Sequence, residues 1–135
     1  MYHVGLVYTK IRQLTKEEVK KDPHGSVQMN ETVQAIEAAL KFNGHKVSLI
    51  PASINMLQDI VDIGDIDVIF NACVGITKKR EQANVVAMLE LLDIPFVGSS
   101  LSTQILGLHK SVSKRLFRTA GVPTTNFQVF FSGEA

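Results

Sequence analysis

Short apolar runs alternate with amphipathic stretches along nearly the whole sequence. The apolar runs are rich in β-branched and aromatic residues, as in Val-Ile-Phe-Asn-Ala (68–72), which suits strands buried on both faces. The stretches between them repeat apolar residues at intervals of three and four, which is typical of helices packed on one side. Four strands are predicted, at Val4 to Tyr8, Val47 to Ile50, Asp67 to Ala72 and Phe96-Val97. This alternation predicts an α/β fold of three layers, with a mostly parallel Rossmann-like sheet, helices on both faces and right-handed crossovers.

Two helices are predicted in the first half of the chain. One covers residues 29–42 and ends at Asn43-Gly44, because glycine accepts the left-handed conformation that closes a helix. The other covers residues 53–62 and is followed by a turn at Gly64-Asp65. The side chains predicted to face inward are Met29, Val33, Ile36 and Leu40 in the first helix, and Ile54, Leu57 and Val61 in the second.

Further helices are predicted in the second half. The segment 82–92 is one, with Val85, Met88, Leu89 and Leu92 facing inward. Ser99 or Ser100 is placed to cap the next helix. A later helix, 110–120, ends at Gly121, and a last strand is predicted from Phe127 to Phe131. In that helix the side chains predicted to face the core are Val112 and Leu116, and those predicted to face water are Lys114, Arg115 and Arg118.

A long segment without apolar periodicity follows the first predicted strand. It runs from about residue 9 to residue 28, whereas connections in α/β units usually have about 2 to 6 residues. Thr15 and Glu18 form a capping-box pattern, so a short helix is predicted at 16–21. Long loops after the first strand lie at the carboxyl edge of a parallel sheet, where such folds bind ligands. The segment is therefore a candidate lid or substrate loop, and the alternative is a solvated insertion.

Composition and charge exclude several classes of protein. The length of 135 residues is that of one domain, and the net charge of +1 argues against nucleic acid or an acidic membrane surface as a partner. The one cysteine, Cys73, lies at the end of a predicted buried strand and cannot form an intramolecular disulfide. No apolar run approaches the roughly 18 residues that span a bilayer, and no signal-peptide pattern is present. We therefore expect no membrane association and a cytoplasmic location.

Three segments of the sequence carry a family resemblance. "DVIFNA", "MLELLDIPFVGSS" and "LHKSVSKRLFRTAGVPTTNFQVF" resemble the N-terminal domain of D-alanine:D-alanine ligases and related enzymes of the ATP-grasp superfamily. The resemblance covers about half of the chain, and within it the order and spacing of several elements agree. It implies the strand order 2-1-3-4. It also implies that residues 1–122 are the domain preceding the ATP-grasp domains, and that 123–135 are the linker and strand leading into them.

The resemblance implies a phosphate-binding role for Lys110. That residue occupies the position of the family's Asp-Lys lysine, which contacts ATP phosphates, although His109 replaces the aspartate. ATP and Mg²⁺ are implied for the full-length enzyme, with the metal ligands in the further domains and none in this chain. We expect no nucleotide to bind tightly to this chain alone, which is expected to be inactive.

On the substrate side the sequence departs from the family pattern. Tyr8-Thr9 and the residues after it replace the glycine-rich loop of the ligases, and the glutamate that holds the first substrate's ammonium aligns near Val27. Glu31, one turn later, is the candidate substitute. In the third-strand loop Val74-Gly75 stands where the family has His-Gly or Glu-Gly. The substrate-side candidates are Glu31, Gly75 and Ser99.

The implied chemistry is an ATP-dependent ligation of a carboxylate to an amine through an acyl phosphate, as in the synthesis of peptidoglycan precursors. The substrate would be a small molecule, an amino acid, and the resemblance also implies a homodimer formed through this domain. Two other α/β classes fit poorly, because the acidic positions of a receiver domain and the glycines of a dinucleotide-binding loop are missing. The remaining alternative is a non-catalytic binding or dimerisation module with the same fold.

Overall fold

The computed structural model describes residues 1–10, 25–76 and 82–130, and within them strands and helices alternate. We number the elements in chain order. The strands are β1 (His3–Tyr8), β2 (Lys46–Pro51), β3 (Val68–Ala72) and β4 (Phe96–Val97). The helices are α1 (Gly25–Phe42), α2 (Met56–Ile63), α3 (Gln82–Leu89), α4 (Leu101–Leu108) and α5 (Lys110–Thr119). The predicted helix at 16–21 lies outside the described residues.

The four strands form one parallel sheet in the order β2-β1-β3-β4. β1 is paired on both sides, with His3 opposite Lys46 of β2 and Val4 opposite Val68 of β3. β4 is short and pairs only through Phe96 and Val97, opposite Ile69 and Phe70. The predicted α/β class, the parallel sheet and the order 2-1-3-4 are confirmed.

The main hydrophobic core lies between the sheet and the helices α2 and α3. Side chains alternate between the two faces of a strand, so Val7 of β1 faces this core while Leu6 faces the opposite side, and both are fully buried. The buried members of the core cluster are Val7, Ile50, Ala52, Met56, Ile60, Ile66, Ile69, Cys73, Val85 and Leu89. The predicted inward side chains Met88 and Leu92 also pack against this cluster, but the helix ends at Leu89 and not at residue 92, so Leu92 packs from the turn after it.

Helix α2 turns a different face to the core from the one predicted. Met56 and Ile60 are buried, whereas Ile54 is 83% exposed and Val61 is 61% exposed. Ile54 lies in a turn before the helix, which begins only at Met56. The predicted inward face of Ile54, Leu57 and Val61 was therefore wrong, because Ile54 is not part of the helix. Of the three side chains, Leu57 is half-buried and the other two are exposed.

Helix α1 begins at Gly25, four residues before the predicted start. Val33 is buried and the other three predicted inward residues are half-buried, so the predicted face is confirmed. The helix ends as predicted at Gly44, whose φ is 79°. The amide of His45 donates to the Leu40 carbonyl at 3.1 Å, and the amide of Gly44 donates to the Lys41 carbonyl at 2.9 Å. This is the hydrogen-bond pattern of a glycine-terminated helix.

Polar contacts tie the strands together at the amino edge of the sheet. The buried His3 ring places Nε2 2.8 Å from Ser48 Oγ and Nδ1 3.0 Å from the Asp65 carbonyl oxygen. The amide of His3 also donates to Asp67 Oδ2 at 2.7 Å. A carbonyl can only accept, so Nδ1 carries the proton toward Asp65 and Nε2 accepts from the Ser48 hydroxyl. β1 is thereby linked to β2 and to the residues that precede β3.

Helices α4 and α5 form a hairpin with no buried side chain, which contradicts the predicted core face of α5. Val112 is 39% exposed and Leu116 is 46% exposed. Lys114 and Arg118, predicted to face water, lie over the Phe127 ring at 5.5 and 4.8 Å from its centroid. Both cations thus hold the segment that follows the helix instead of being fully solvated.

The last strand, predicted from Phe127 to Phe131, is not formed over residues 127–130, the part that the structure describes. Lys114 Nζ donates to the carbonyl oxygen and the hydroxyl of Thr125, and Arg118 Nη2 donates to Asn126 Oδ1 at 3.1 Å. These contacts direct the segment along α5 instead of into the sheet. No helix among the described residues is long and apolar enough to cross a membrane.

Candidate functional site

The candidate site lies at the carboxyl edge of the sheet, between β1 and β3. The chain leaves β1 toward β2 on one side and returns to β3 on the other, so the strand order reverses at this pair. In open parallel sheets the loops diverge at such a point and leave a crevice, where ligands bind. The residues that line it come from the ends of β1 and β3.

The Thr9 hydroxyl joins the two loops at the floor of this crevice. It accepts a hydrogen bond from the Val74 amide at 2.9 Å and donates to the Gly75 carbonyl oxygen at 3.0 Å. The Cys73 thiol lies 3.2 Å from the same hydroxyl. This one side chain therefore satisfies a backbone donor and a backbone acceptor that would otherwise face the crevice.

The predicted substrate-side residue Gly75 lies in this crevice. It is buried and its φ is 149°, a conformation that side chains rarely adopt. The amide of Gly75 donates to Cys73 Sγ at 3.3 Å. Cys73 is a free, buried thiol whose sulfur also donates to the Gly75 carbonyl oxygen at 3.4 Å, so its hydrogen bonds lie within its own loop and to Thr9.

Ser99 lies after β4, at the same edge of the sheet but two strands away from β1. It is exposed and follows Gly98, whose φ is 143°. Its neighbour Ser100 is in the N-cap position of α4, one of the two positions predicted, but the predicted capping by its side chain is not formed. Its hydroxyl bonds to no backbone amide of the helix and instead lies 3.1 Å from Ser102 Oγ and 3.2 Å from Thr103 Oγ1.

Lys110 is the first residue of α5 and is exposed. One residue, His109, separates it from α4 and provides the N-cap of α5. The N-terminus of a helix carries a partial positive charge, so a lysine there is electrostatically unfavourable unless an anion is bound nearby. No hydrogen bond or ion pair of the Lys110 side chain is formed with the described residues. The position therefore suits the binding of a phosphate group.

Glu31 does not belong to this group of residues. Because α1 begins at Gly25, Glu31 is its seventh residue and is not in the first turn as predicted. At a rise of about 1.5 Å per residue, it lies about 9 Å along the helix from its N-terminus. It is exposed and forms no hydrogen bond with the described loop residues Thr9, Val74 and Gly75.

Sequence reasoning missed two residues that shape this edge of the sheet. The sequence pattern identifies Thr9 only as part of the segment that replaces the glycine-rich loop of the ligases. It identifies Glu90 only as a residue of the predicted helix 82–92. Glu90 follows α3, and its Oε1 accepts a hydrogen bond from the amide of Leu101, the first residue of α4, at 2.8 Å. In the sequence, no acidic residue follows Ser100 in the first turn of the predicted helix. Glu90, earlier in the chain, is a carboxylate that can supply the missing acceptor.

The described residues offer no metal site. Within 1–10, 25–76 and 82–130, no three His, Cys, Asp or Glu side chains come close enough together to hold an ion.

Comparison with known proteins shows similarity to D-alanine–D-alanine ligases. The chain is 36% identical over 89 residues to the D-alanine–D-alanine ligase of Halalkalibacterium halodurans, which is 66% of this chain and 28% of that enzyme. It is 32% identical over 100 residues to the ligase of Moorella thermoacetica, which is 74% of this chain and 31% of that enzyme. A third relative, D-alanine–D-alanine ligase B of Bradyrhizobium diazoefficiens, is 44% identical over 66 residues, 49% of this chain and 17% of that enzyme.

The resemblance found in the sequence is confirmed by these relatives and is consistent with an N-terminal domain of that ligase. The matched part covers 28% and 31% of the first two relatives, so the chain corresponds to about a third of their length. No family model matches the sequence, and no solved structure matches it.

Proposed function

We propose that this chain is the substrate-side domain of an ATP-dependent carboxylate–amine ligase that acts on amino acids. Similarity to two D-alanine–D-alanine ligases over two thirds to three quarters of the chain carries the proposal. A parallel sheet with an open switch point between β1 and β3 supports it. Because ATP and amino acids are cytoplasmic metabolites, we assign the protein to the cytoplasm, and we assign its product to the synthesis of peptidoglycan precursors.

In this proposal Lys110 contacts the phosphate chain of ATP. A carboxylate oxygen of the first amino acid attacks the terminal phosphorus, which forms an acyl phosphate and releases ADP. The amine of the second amino acid then attacks the acyl carbon, and inorganic phosphate leaves. The first step brings a carboxylate to the negatively charged phosphates, and the second expels a phosphate anion, so a fixed cation near the phosphates stabilises the charge in both steps. Lys110, at the positive end of α5, supplies that charge from this chain.

The crevice between β1 and β3 would form one wall of the amino-acid site. There the Thr9 hydroxyl already forms hydrogen bonds with the Val74 amide and the Gly75 carbonyl oxygen. A substrate carboxylate would find the Val74 amide taken, and a substrate ammonium would find the Gly75 carbonyl already paired, so we propose that the crevice contacts the substrate mainly by shape. The amino acids joined would then differ in preference from those of an enzyme with an open glycine-rich loop.

A phosphate-release assay on the longest native form of the protein tests this function. The assay uses magnesium-ATP and a panel of D- and L-amino acids. Release that depends on D-alanine would identify a dipeptide ligase of the same specificity as the relatives. Release with another amine and not with D-alanine would identify a ligase of changed specificity, as the Thr9 contacts favour.

The same contacts also favour a second candidate, a non-catalytic binding or dimerisation module. A crevice floor whose polar groups are satisfied by the protein itself has fewer free groups for a small substrate. Absence of phosphate release with every amino acid would favour this module. A homodimer would then appear as a doubled mass in light scattering.

A further inference from the structure

Glu90 connects two elements that are separated by a strand and a loop. It follows the last residue of α3, and its amide donates to the Val86 carbonyl at 2.9 Å. Its carboxylate reaches across to accept from the Leu101 amide at 2.8 Å. The hydrogen bond therefore joins the C-terminal end of α3 to the N-terminal end of α4.

The charge of Glu90 suits one of these helix ends and not the other. A carboxylate at the C-terminus of α3 meets the negative end of that helix, which is unfavourable. At the N-terminus of α4 the same carboxylate meets free amides and the positive end, which is favourable. The Ser100 hydroxyl does not cap the backbone of α4, so Glu90 provides the side-chain acceptor that this helix would otherwise lack. The carboxylate at position 90 is therefore explained by the hydrogen bond that it accepts at the N-terminus of α4.

Helix α4 depends on this contact more than a core helix would. It has eight residues and packs beside α3 with half-buried leucines at its two ends, but it has no fully buried side chain, so deep apolar packing does not fix its direction. At about 1.5 Å per residue it is about 12 Å long, and a rotation of about 10° about its N-terminus moves its far end by about 2 Å. The residue at that far end is His109, which is followed directly by Lys110.

The junction between α4 and α5 transmits such a movement. The His109 amide closes α4 on the Ile105 carbonyl at 3.3 Å, and its carbonyl accepts the Ser113 amide at 3.0 Å. The Ser113 hydroxyl donates to the carbonyl oxygens of Leu106 and His109. The two helices are thus joined by hydrogen bonds on both sides of a one-residue connection, and Lys110 moves with α4.

We propose that Glu90 is a positioning residue that holds Lys110 in place for phosphate binding. The role of Lys110 rests on the proposed function, whereas the mechanical role of Glu90 rests on the contacts above. A group that must meet a phosphate oxygen tolerates little displacement, and an error of about 1 Å can cost orders of magnitude in rate. Glu90 touches no substrate in this proposal and acts through α4.

Two variants and a matched control separate this role from a general effect on stability. Glu90→Ala removes the acceptor, whereas Glu90→Gln keeps an amide oxygen that can accept from Leu101. Asp93→Asn removes a nearby exposed carboxylate that makes no hydrogen bond with the described residues. Thermal unfolding first establishes that each variant is folded.

Residual dipolar couplings on the labelled chain then report the orientation of α4 and α5 relative to the sheet. We expect Glu90→Ala to rotate both helices together by about 10° or more, and we expect Glu90→Gln and Asp93→Asn to leave them in place. An unchanged orientation in Glu90→Ala would overturn the proposal, whatever the melting temperature does. A rotation of α4 without α5 would also overturn it, because Lys110 would not follow.

Inorganic tripolyphosphate serves as the probe of Lys110. We expect the probe to shift the amide signals of Lys110 and Ser111 in the wild type, and we expect its affinity to fall at least about threefold in Glu90→Ala. In Lys110→Ala we expect the probe to cause no shift of these amide signals. If the wild type shows no shift at these amides, the phosphate role of Lys110 fails, and the couplings still decide whether Glu90 sets the helix orientation. If Glu90→Ala rotates the helices but binds the probe as the wild type does, Glu90 orients α4 without serving phosphate binding, and the proposal fails.

Discussion

The sheet with α2 and α3 differs from the α4–α5 hairpin in what holds it together. In the first region aliphatic side chains such as Leu89 and Ile60 are almost completely buried. In the second region no side chain of either helix is fully buried, and beside the packing of α4 on α3 its contacts include the Glu90 carboxylate, the Ser113 hydroxyl and the two cations over Phe127. The comparison indicates that the first region specifies the fold. The candidate phosphate contact, Lys110, lies in the second region, which is held in place mainly by polar contacts.

The largest difference should appear between two leucines. Leu89→Ala removes a fully buried side chain from the core and should lower the free energy of unfolding by about 2–5 kcal/mol. Leu116→Ala, at a residue that is 46% exposed, should cost about 1 kcal/mol or less. Urea denaturation followed by circular dichroism measures both. Equal losses would mean that Leu116 is covered, for example by a second copy of the chain, and the comparison would break down.

A smaller effect is expected from the polar contacts at the amino edge of the sheet. Ser48→Ala leaves Nε2 of the buried His3 without its donor and should destabilise the protein by about 1–2 kcal/mol. Ser102→Ala, at an exposed serine in α4, is the matched control and should change stability by less than about 0.5 kcal/mol. The same denaturation experiment applies. A neutral Ser48→Ala would show that water replaces the hydroxyl and that this edge is more open than described.

The contacts of Phe127 should matter locally more than globally. Phe127→Leu removes the ring under Lys114 and Arg118 and should cost less than about 1 kcal/mol, because the site is partly exposed. Hydrogen exchange of the amides in 122–130 should nevertheless become several-fold faster. Phe130→Leu, at a residue that is 80% exposed, should leave the exchange unchanged. Similar exchange rates in both variants would show that the cations do not hold this segment.

The smallest effect on stability is expected at Lys110. Lys110→Ala should change the free energy of unfolding by less than about 0.5 kcal/mol, since the side chain is exposed. In the longest native form, the same change should raise the Michaelis constant for ATP about tenfold or more, through the loss of a phosphate contact. Arg115→Ala, at an exposed cation in the same helix, should leave that constant unchanged. An unaltered Michaelis constant in Lys110→Ala would remove Lys110 from the site.

Features that depend on neighbouring residues in the chain were predictable from the sequence. The parallel sheet followed from the alternation of apolar runs, the end of α1 from Gly44, and the inward face of α3 from the spacing of Val85 and Leu89. The strand order came from the family resemblance, since local pattern does not determine which strands are neighbours. The sheet and α3 also belong to the well-buried region, where the hydrophobic pattern and the packing agree.

The mistaken predictions fall where this agreement is missing. Ile54 continues an apolar period but lies in a turn, and Phe127 has the neighbours of a strand but packs under Lys114 and Arg118. For the candidate site, Gly75 and Ser99 lie at the carboxyl edge of the sheet and Glu31 is the seventh residue of α1, and the substrate-side roles of all three stay predictions. The roles of Thr9 and Glu90 depend on hydrogen bonds to residues distant in sequence, which periodicity and propensity do not contain.

The central position of β1 has a consequence for folding during synthesis. β1 is made before both of its partners, and the contact of His3 with Asp67 joins residues that are 64 apart in sequence. At translation rates of about 5–20 residues per second, the strand waits for several seconds before β3 has left the ribosome. Until β2 emerges this nearly continuous apolar segment has neither of its neighbours to pair with, and it lacks β3 for the whole interval. The nascent chain is therefore most exposed to misassociation before its third strand emerges, and chaperones that bind apolar segments would act in that interval.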